Sequence, residues 1–405
     1  MPLGCIPHCT SQPPALYMIY LDANATSPIA PEVLEAMLPY LKEHYANPSA
    51  GYRSARLVQR AVETAREQVA ALIGASADEI IFTSGGTEAD NAAIACASLG
   101  LPQRRHLIIG ATEHSAVIEP ARRWSKEGGD LTLARVHPDG VIDMERLQKA
   151  LRLHPTALVS IMWANNETGV IAPVHEIAQV AHETGALFHS DAVQAAGRLP
   201  IQVGKLPVDY LSLSGHKMHG PKGVGALFIS RRVRFRPGIL GGSQESDRRG
   251  GTENVSSIVG FGKAAELAAA SLDQQTAVAA LRDTFEATVR ATLPNVTVNG
   301  HLTQRLAGTS SLCFPGLAAA EMLILLDSRG VCCSAGSACH AGEVHPSHVL
   351  EAMGMDAARA ASTLRFSFSR LNTAVEAEEA ATHVIAVAGK LQSLAAISEG
   401  PVVLS

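Results

Sequence analysis

A few short segments carry residue types that could do chemistry together. Lys217 lies in Ser212-Leu213-Ser214-Gly215-His216-Lys217-Met218-His219-Gly220, after an apolar stretch and among small residues. Partial burial there would strip water from an ammonium and lower its pKa, and a neutral amine can form a Schiff base. The plain alternative is an exposed loop lysine such as Lys222. Asp191 ends an apolar run, at the edge where α/β sheets bind ligands. A carboxylate there suits a protonated pyridine nitrogen, although a helix-capping Asp is as common a use.

The run Ile80-Ile81-Phe82-Thr83-Ser84-Gly85-Gly86-Thr87-Glu88 reads as a strand, a tight turn and a helix starting at about Thr87. Helix N-termini expose unpaired N–H groups that hold phosphate, and glycine lets an anion approach the backbone. A turn capped by Thr87 is the simpler reading. Ser214 and His216 could add phosphate contacts. Cys339 sits in the Gly/Ser/Ala stretch 334–342 beside His340, where an exposed thiol can become a nucleophilic thiolate. Cys332 and Cys333 follow an apolar region and read as core residues. Leu364-Arg365-Phe366-Ser367-Phe368-Ser369 alternates like a half-buried strand. Arg365 falls on its polar face, where a guanidinium fork could bind a carboxylate or simply face solvent.

These residues need elements to position them. Strands are expected at Glu79–Thr83, His106–Gly110, Leu131–Val136, Ala157–Trp163, Ala186–Asp191, Val208–Ser214 and Gly223–Ser230. Most are short continuous apolar runs, the mark of strands buried on both faces. Helical patterns lie between them at Arg56–Ile73, Asp143–Leu151 and Pro173–Thr184, and Leu57, Ala61, Ala65, Val69 and Leu72 define the apolar face of the first. Gly74 follows as a stop signal. The alternation implies an α/β domain around a mainly parallel sheet. Beyond about Val259 come Ala-rich helices at Gly260–Ala270 and Thr276–Thr292, a few strands and a final helix at Ala374–Leu394, read as a smaller α+β domain. The expected organisation is a tail at 1–16, a large domain at 27–264, and a small domain from 17–26 and 265–405 that carries a loop at about 332–345.

The 405 residues are 47% hydrophobic and 18% charged with net charge −5, ordinary for a globular chain. Without a dense Lys/Arg run, nucleic acid and anionic membrane surfaces are not expected partners. No apolar run approaches the roughly 18 residues needed to span a bilayer, and the N-terminus lacks a secretory apolar core. The seven cysteines are odd in number and irregularly spaced, which fits a reducing cytoplasm better than a disulfide framework. Cys5, His8 and Cys9 lack a second ligand cluster, so no metal is expected.

In this order, and over nearly the whole chain from Tyr20 to about Leu394, the segments resemble the cysteine desulfurases of the NifS/IscS type, within the fold-type-I pyridoxal-phosphate (PLP) enzymes. The resemblance rests on Tyr20-Leu21-Asp22-Ala23-Asn24-Ala25-Thr26, Asn47-Pro48-Ser49, Thr83-Ser84-Gly85-Gly86-Thr87-Glu88, Thr112-Glu113-His114 and Asn165-Asn166-Glu167-Thr168-Gly169. It continues through Ser214-Gly215-His216-Lys217, Gly251-Thr252-Glu253-Asn254, Ser337-Ala338-Cys339 and Arg365-Phe366-Ser367. It implies a large domain with a seven-stranded, mainly parallel sheet.

It also implies roles. Lys217 would hold PLP as a Schiff base and shuttle the substrate Cα proton. His114 would stack on the ring and assist. Asp191 would pair with the pyridinium nitrogen and Gln194 with the ring oxygen. Gly86, Thr87, Ser214 and His216 would bind the phosphate, and Thr252 would reach the phosphate of a partner subunit, which implies a homodimer with shared active sites. Asn166 and Arg365 would hold L-cysteine. Cys339, on a mobile loop, would take its sulfur as a persulfide for an acceptor protein such as an iron–sulfur scaffold. Relatives commonly carry Gly at 243, Arg at 246 and Gly at 247, where this chain has Ser243, Ser246 and Asp247, so contacts near the expected dimer interface differ. A selenocysteine lyase is the alternative activity, since Cys339-His340 resembles a pair found in some of those enzymes. An aminotransferase would leave Cys339 without a purpose, and a non-catalytic relative of the fold would not need so complete a set of polar residues.

Overall fold

A computed structural model describes residues 18–100, 103–336, 339–340, 343–344 and 347–398, without the side chains of 98–100, 339–340, 343–344 and 395–398. The expected tail at 1–16, with Cys5, His8 and Cys9, lies outside the described residues, as do Ser337, Ala338 and the side chain of Cys339.

The described chain opens with β1 (Ile19–Tyr20), α1 (Pro31–Lys42) and α2 (Arg53–Ile73). Strands and helices then alternate through β2 (Ile80–Thr83), α3 (Gly86–Gly100), β3 (His106–Gly110), α4 (Ser115–Lys126), β4 (Asp130–Ala134) and α5 (Met144–Leu153). β5 (Thr156–Ser160), α6 (Val174–Glu183), β6 (Leu187–Asp191), β7 (Tyr210–Ser214) and β8 (Gly225–Ile229) complete one sheet in the order β2-β8-β7-β6-β5-β3-β4. The run from β7 to β4 is parallel, whereas β8 pairs antiparallel with both β2 and β7. The sheet is therefore α/β and mainly parallel, as expected. Its inner strands are apolar because helices cover both faces, while edge strand β4 leaves Leu133 50% exposed.

Several bounds shift for physical reasons. β5 stops at Ser160, short of Trp163, because the Met162 N–H leaves the ladder to donate to Glu113 Oε1 at 2.7 Å. Helix α2 buries Ala55, Val58, Val62, Ala65, Val69 and Leu72, so its face is rotated from the expected one and Leu57 is exposed. Gly74 ends it in the left-handed region at φ 66°, where a Cβ would lie 2.5 Å from Gln202 Oε1. Helix α3 starts one residue before the expected Thr87.

A kinked turn, α7 (Gln244–Asp247), leads to α8 (Val255–Ala270) and α9 (Gln275–Thr292). Glu245, Ser246 and Asp247 adopt φ of 49°, 56° and 62°, the region that favours glycine. Beyond come β9 (Thr297–Val298), β10 (Thr309–Cys313), α10 (Ala319–Asp327), β11 (Val331–Cys332) and β12 (Ser334–Ala335). A hairpin of β13 (Cys339–His340) and β14 (Glu343–Val344) precedes α11 (His348–Ala352), α12 (Ala357–Ala361), β15 (Thr363–Ser367) and α13 (Ala374–Ser398).

This second unit is built on the sheet β12-β15-β10-β9, with its own core. Phe366 of β15 stacks on Phe285 of α9 at 4.8 Å between ring centroids. The expectation of a half-buried strand around Arg365 is corrected here: β15 is central and every residue in it is buried. β1 pairs with β11, so the segment before α1 joins this unit rather than the large sheet. No single described helix is long and apolar enough to cross a membrane.

Candidate active site

Parallel strands deliver their C-terminal ends to one sheet edge, where loops can gather side chains from distant positions. Asp191 closes β6 and Ser214 closes the adjacent β7. The turn Gly215–Lys217 follows at once and brings His216 and Lys217 to the same edge. From the other side, α3 begins at Gly86, where a Cβ would lie 2.7 Å from the Val193 side chain, so only glycine lets the turn close. The result is a cavity of about 360 Å³ lined by Gly86, Thr87, Ser214 and His216 together with Asp191, Gln194, His114, Lys217, Asn166 and Arg365.

The lysine is set against two main-chain carbonyls. Lys217 Nζ donates to Asn24 O at 2.5 Å and to Ala25 O at 2.6 Å. Burial, then the neighbouring Arg198 and Arg365 cations, push its pKa down to about 7, against the smaller pull of Asp191 and Asp22. A substantial fraction of the amine is therefore neutral near pH 7.

The floor of the cavity holds more acid than base. Asp191 is buried, and its Oδ1 accepts the Val193 N–H at 2.8 Å. Burial first, then the Asp90 carboxylate, raise its pKa to about 7. Asp90 is itself raised to about 7 by burial, and its Oδ1 has no hydrogen-bond partner, lying 3.5 Å from His189 Nε2. Burial also raises the Glu113 carboxyl, whose Oε2 is likewise unpartnered. His189 does not neutralise them, because burial pushes its pKa down to about 4. Buried acids without a paired cation are costly, and this floor suits a cationic group placed against Asp191.

His114 caps α4, with Nδ1 accepting the Ala116 N–H at 3.1 Å, and burial lowers its pKa so that the ring is held towards neutral. At the far wall Arg365 donates through Nη2 to Asp22 Oδ1 at 2.6 Å and through Nη1 to Asn166 O at 3.0 Å. Its Nε is buried with no partner, a spare donor suited to a carboxylate.

One of the expected residues stands apart. Thr252 is exposed and lines a separate cavity of about 250 Å³ with Ser84, Gly223 and Arg249. Cys339 is described only in its backbone, paired with Val344 in the hairpin. Both ends of that segment pack on Glu167: Ser347 Oγ donates to its Oε2 at 2.5 Å, and a Cβ on Gly336 would strike the same oxygen. Among the described residues no group of three His, Cys, Asp or Glu side chains could hold a metal.

Sequence reasoning left Asn24, Asp90 and Arg198 without a role, yet Asn24 and Asp90 line the cavity and Arg198 stands behind it. The available signal was position: Asn24 lies in the run Tyr20–Thr26 already singled out, Asp90 two residues beyond the run ending at Glu88, and Arg198 four residues beyond Gln194.

Comparison with known proteins agrees in sequence and in shape. Residues 19–379 match the family described as aminotransferase class-V. A cysteine desulfurase of Trichormus azollae is 45% identical over 380 residues, covering 93% of this chain and 94% of that protein. A solved NifS-like protein superposes with a TM-score of 0.86 at 34% identity over 92% of this chain and all of the other. SspA, solved in complex with cysteine, gives 0.76 at 35% identity over 87% of this chain and 99% of that one. The chain therefore belongs to the class-V aminotransferase family, among the cysteine desulfurases of the NifS type.

Proposed function

We propose that this chain removes sulfur from L-cysteine with the help of PLP, giving L-alanine and a persulfide on Cys339. The observation that carries the reading is Lys217, an amine with its pKa lowered to about 7 in the same cavity as a helix N-terminus and a buried, cation-free carboxylate. The residues present fit the cofactor. The unpaired acids beneath the cavity match a protonated ring nitrogen at Asp191, and Gly86, Thr87, Ser214 and His216 form a cradle for its phosphate. Gln194 would face the ring oxygen and His114 would flank the ring. PLP, when bound, supplies an electron sink for the charge left at the substrate Cα.

The remaining work belongs to the chain. Arg365 and Asn166 hold the substrate, Arg365 through the carboxylate with its spare Nε donor. Lys217 Nζ, with a substantial neutral fraction near pH 7, takes the Cα proton and later returns one. The Cys339 thiolate attacks the substrate sulfur. An S–S bond forms as the Cβ–S bond breaks, and the electron pair passes to Cβ, which takes up a proton and becomes the methyl group of alanine. The SspA structure with cysteine supports the substrate assignment by relationship.

Thr252, exposed and outside this cavity, is assigned to the partner's phosphate in a homodimer with shared sites. The persulfide then goes to an acceptor protein, such as an iron–sulfur scaffold, in a reducing cytoplasm. The test is to incubate the purified protein with PLP and L-cysteine. A visible absorption band and stoichiometric alanine are expected, and absence of both would overturn the proposal.

A further inference from the structure

Behind the wall that carries Lys217 stands a guanidinium with only neutral partners. Arg198 lies in the turn after β6, four residues beyond Gln194. Its Nη1 donates to Asn24 Oδ1 at 2.6 Å and to Gln194 Oε1 at 2.9 Å, and its Nη2 donates to Ala23 O at 3.2 Å. Among the described residues it makes no ion pair.

These bonds fix two things at once. A guanidinium only donates, so the oxygen of the Gln194 amide must face it. The Gln194 Nε2 then donates to Asn24 O at 2.9 Å. That carbonyl is also the one that receives Lys217. Asn24 is held from its other side as well, because Nδ2 donates to Asn166 O and to Thr309 Oγ1, both at 3.0 Å. The strap Ala23–Ala25 is thus clamped between the large sheet, the substrate loop and the second unit, with Arg198 at its back.

The consequence falls on the amine. A neutral amine has two N–H donors and one lone pair. Asn24 O and Ala25 O can take both donors, leaving the lone pair as the only free valence of a group that lines the cavity. The charged and titratable groups around it are Arg198 behind, Arg365 on β15, Asp191 on β6, Asp22 just before the strap, and His114 and His216 at the cavity walls.

We infer that Arg198 is a positioning residue for Lys217: through Ala23 O, the Asn24 side chain and Gln194 it holds the strap whose Asn24 and Ala25 carbonyls receive the amine whenever that amine is free of cofactor. Its guanidinium also stands behind that amine and opposes a second positive charge there. The inference rests on Lys217 being the cofactor-bearing residue, and it deepens that reading.

The test uses the full-length chain and three variants. Arg198→Lys keeps the charge, Arg198→Gln keeps a donor without charge, and Arg198→Met removes both. Acylation of Lys217 by acetic anhydride is followed by peptide mass spectrometry from pH 6 to 10 after PLP has been removed. Arg198→Gln and Arg198→Met should move the midpoint up by roughly one pH unit, slowing modification about fivefold at pH 7 and about tenfold at pH 6, as expected for one unit charge across a partly buried site. Arg198→Lys should stay within about threefold of the parent, less than half a pH unit. Circular dichroism and melting confirm folding, and if Arg198→Met does not fold, the Gln and Lys pair decides. A midpoint unchanged in the charge-removing variants would overturn the inference. Failure of the parent to form a visible band with PLP would overturn the cofactor reading instead, since the acylation midpoint is read without cofactor.

Discussion

Arg365 reaches across 2.6 Å to Asp22, tying the central strand of the second unit to the strap before α1, while its Nε stays buried without a partner. A guanidinium already oriented by one carboxylate loses little freedom when it binds another. Arg365→Lys removes the fork and keeps the charge. The KM for L-cysteine should rise roughly 10- to 100-fold, the equivalent of about 1.5–3 kcal/mol for a lost charge-assisted bond. The visible PLP band should persist. A band lost along with substrate affinity would mean that Arg365 holds the fold of the site rather than the substrate.

Lys217 and Cys339 are assigned separable tasks. Lys217→Ala should lose the visible band and turnover together, because no other lysine lines the cavity. Cys339→Ser should keep the band and release no sulfide, because a hydroxyl at that position is not an effective nucleophile towards sulfur near neutral pH. Absorption spectra and sulfide assays on both variants separate the roles.

Asp191 should leave a mark on stability in the absence of PLP. Its folded-state pKa is raised from 3.8 to about 7 by burial and by Asp90. Between those values the folded chain binds more protons than the unfolded one, so this group's contribution becomes less favourable as pH rises from about 4 to 7. Asp191→Asn removes that dependence. The PLP-free variant should melt several degrees above the parent at pH 8 and close to it at pH 4, if the amide is accommodated in place of the acid. The buried His189, lowered to about 4, works in the opposite sense between about 4 and 6.5, and because the Asp191 charge holds it up, Asp191→Asn lowers it further; the comparison is therefore read at pH 8, where the imidazole is neutral in both proteins.

Glu286 and Arg305 form a buried pair through two bonds of 2.7 Å each. Arg305 pairs with Val170, and the Leu306 N–H donates to Gly169 O at 2.8 Å, so this pair backs the loop that carries Asn166. Glu286→Ala leaves a buried charge uncompensated and should cost about 3–5 kcal/mol in unfolding free energy. Denaturant melts check this. KM for L-cysteine should rise in the same variant while the PLP band persists.

Much of the site was legible because strand ends are legible. Asp191, Ser214 and Lys217 sit where continuous apolar runs stop, and an open sheet gathers such ends along one edge. The glycine turn before Thr87 was readable for the same reason, with the helix one residue earlier than expected. Arg198 was not readable, since its meaning lies in a bond to Asn24 across 174 positions of sequence. Burial of β15 was missed because Ser and Arg alternate with apolar residues there, and a polar face turned towards a cavity has the same pattern as one turned towards water. The rotated face of α2 reflects packing against α8, which the sequence of α2 alone does not contain.

The most direct measurement is a single turnover with isotopically labelled L-cysteine and no acceptor, followed by mass spectrometry of the peptide bearing Cys339 and quantification of alanine. One added sulfur on Cys339 is expected for each alanine released, with no such mass in Lys217→Ala. Alanine formed at full rate while Cys339 stays unmodified, or sulfur found on Cys332 or Cys333 instead, would contradict the assignment of Cys339 as the residue that takes the sulfur.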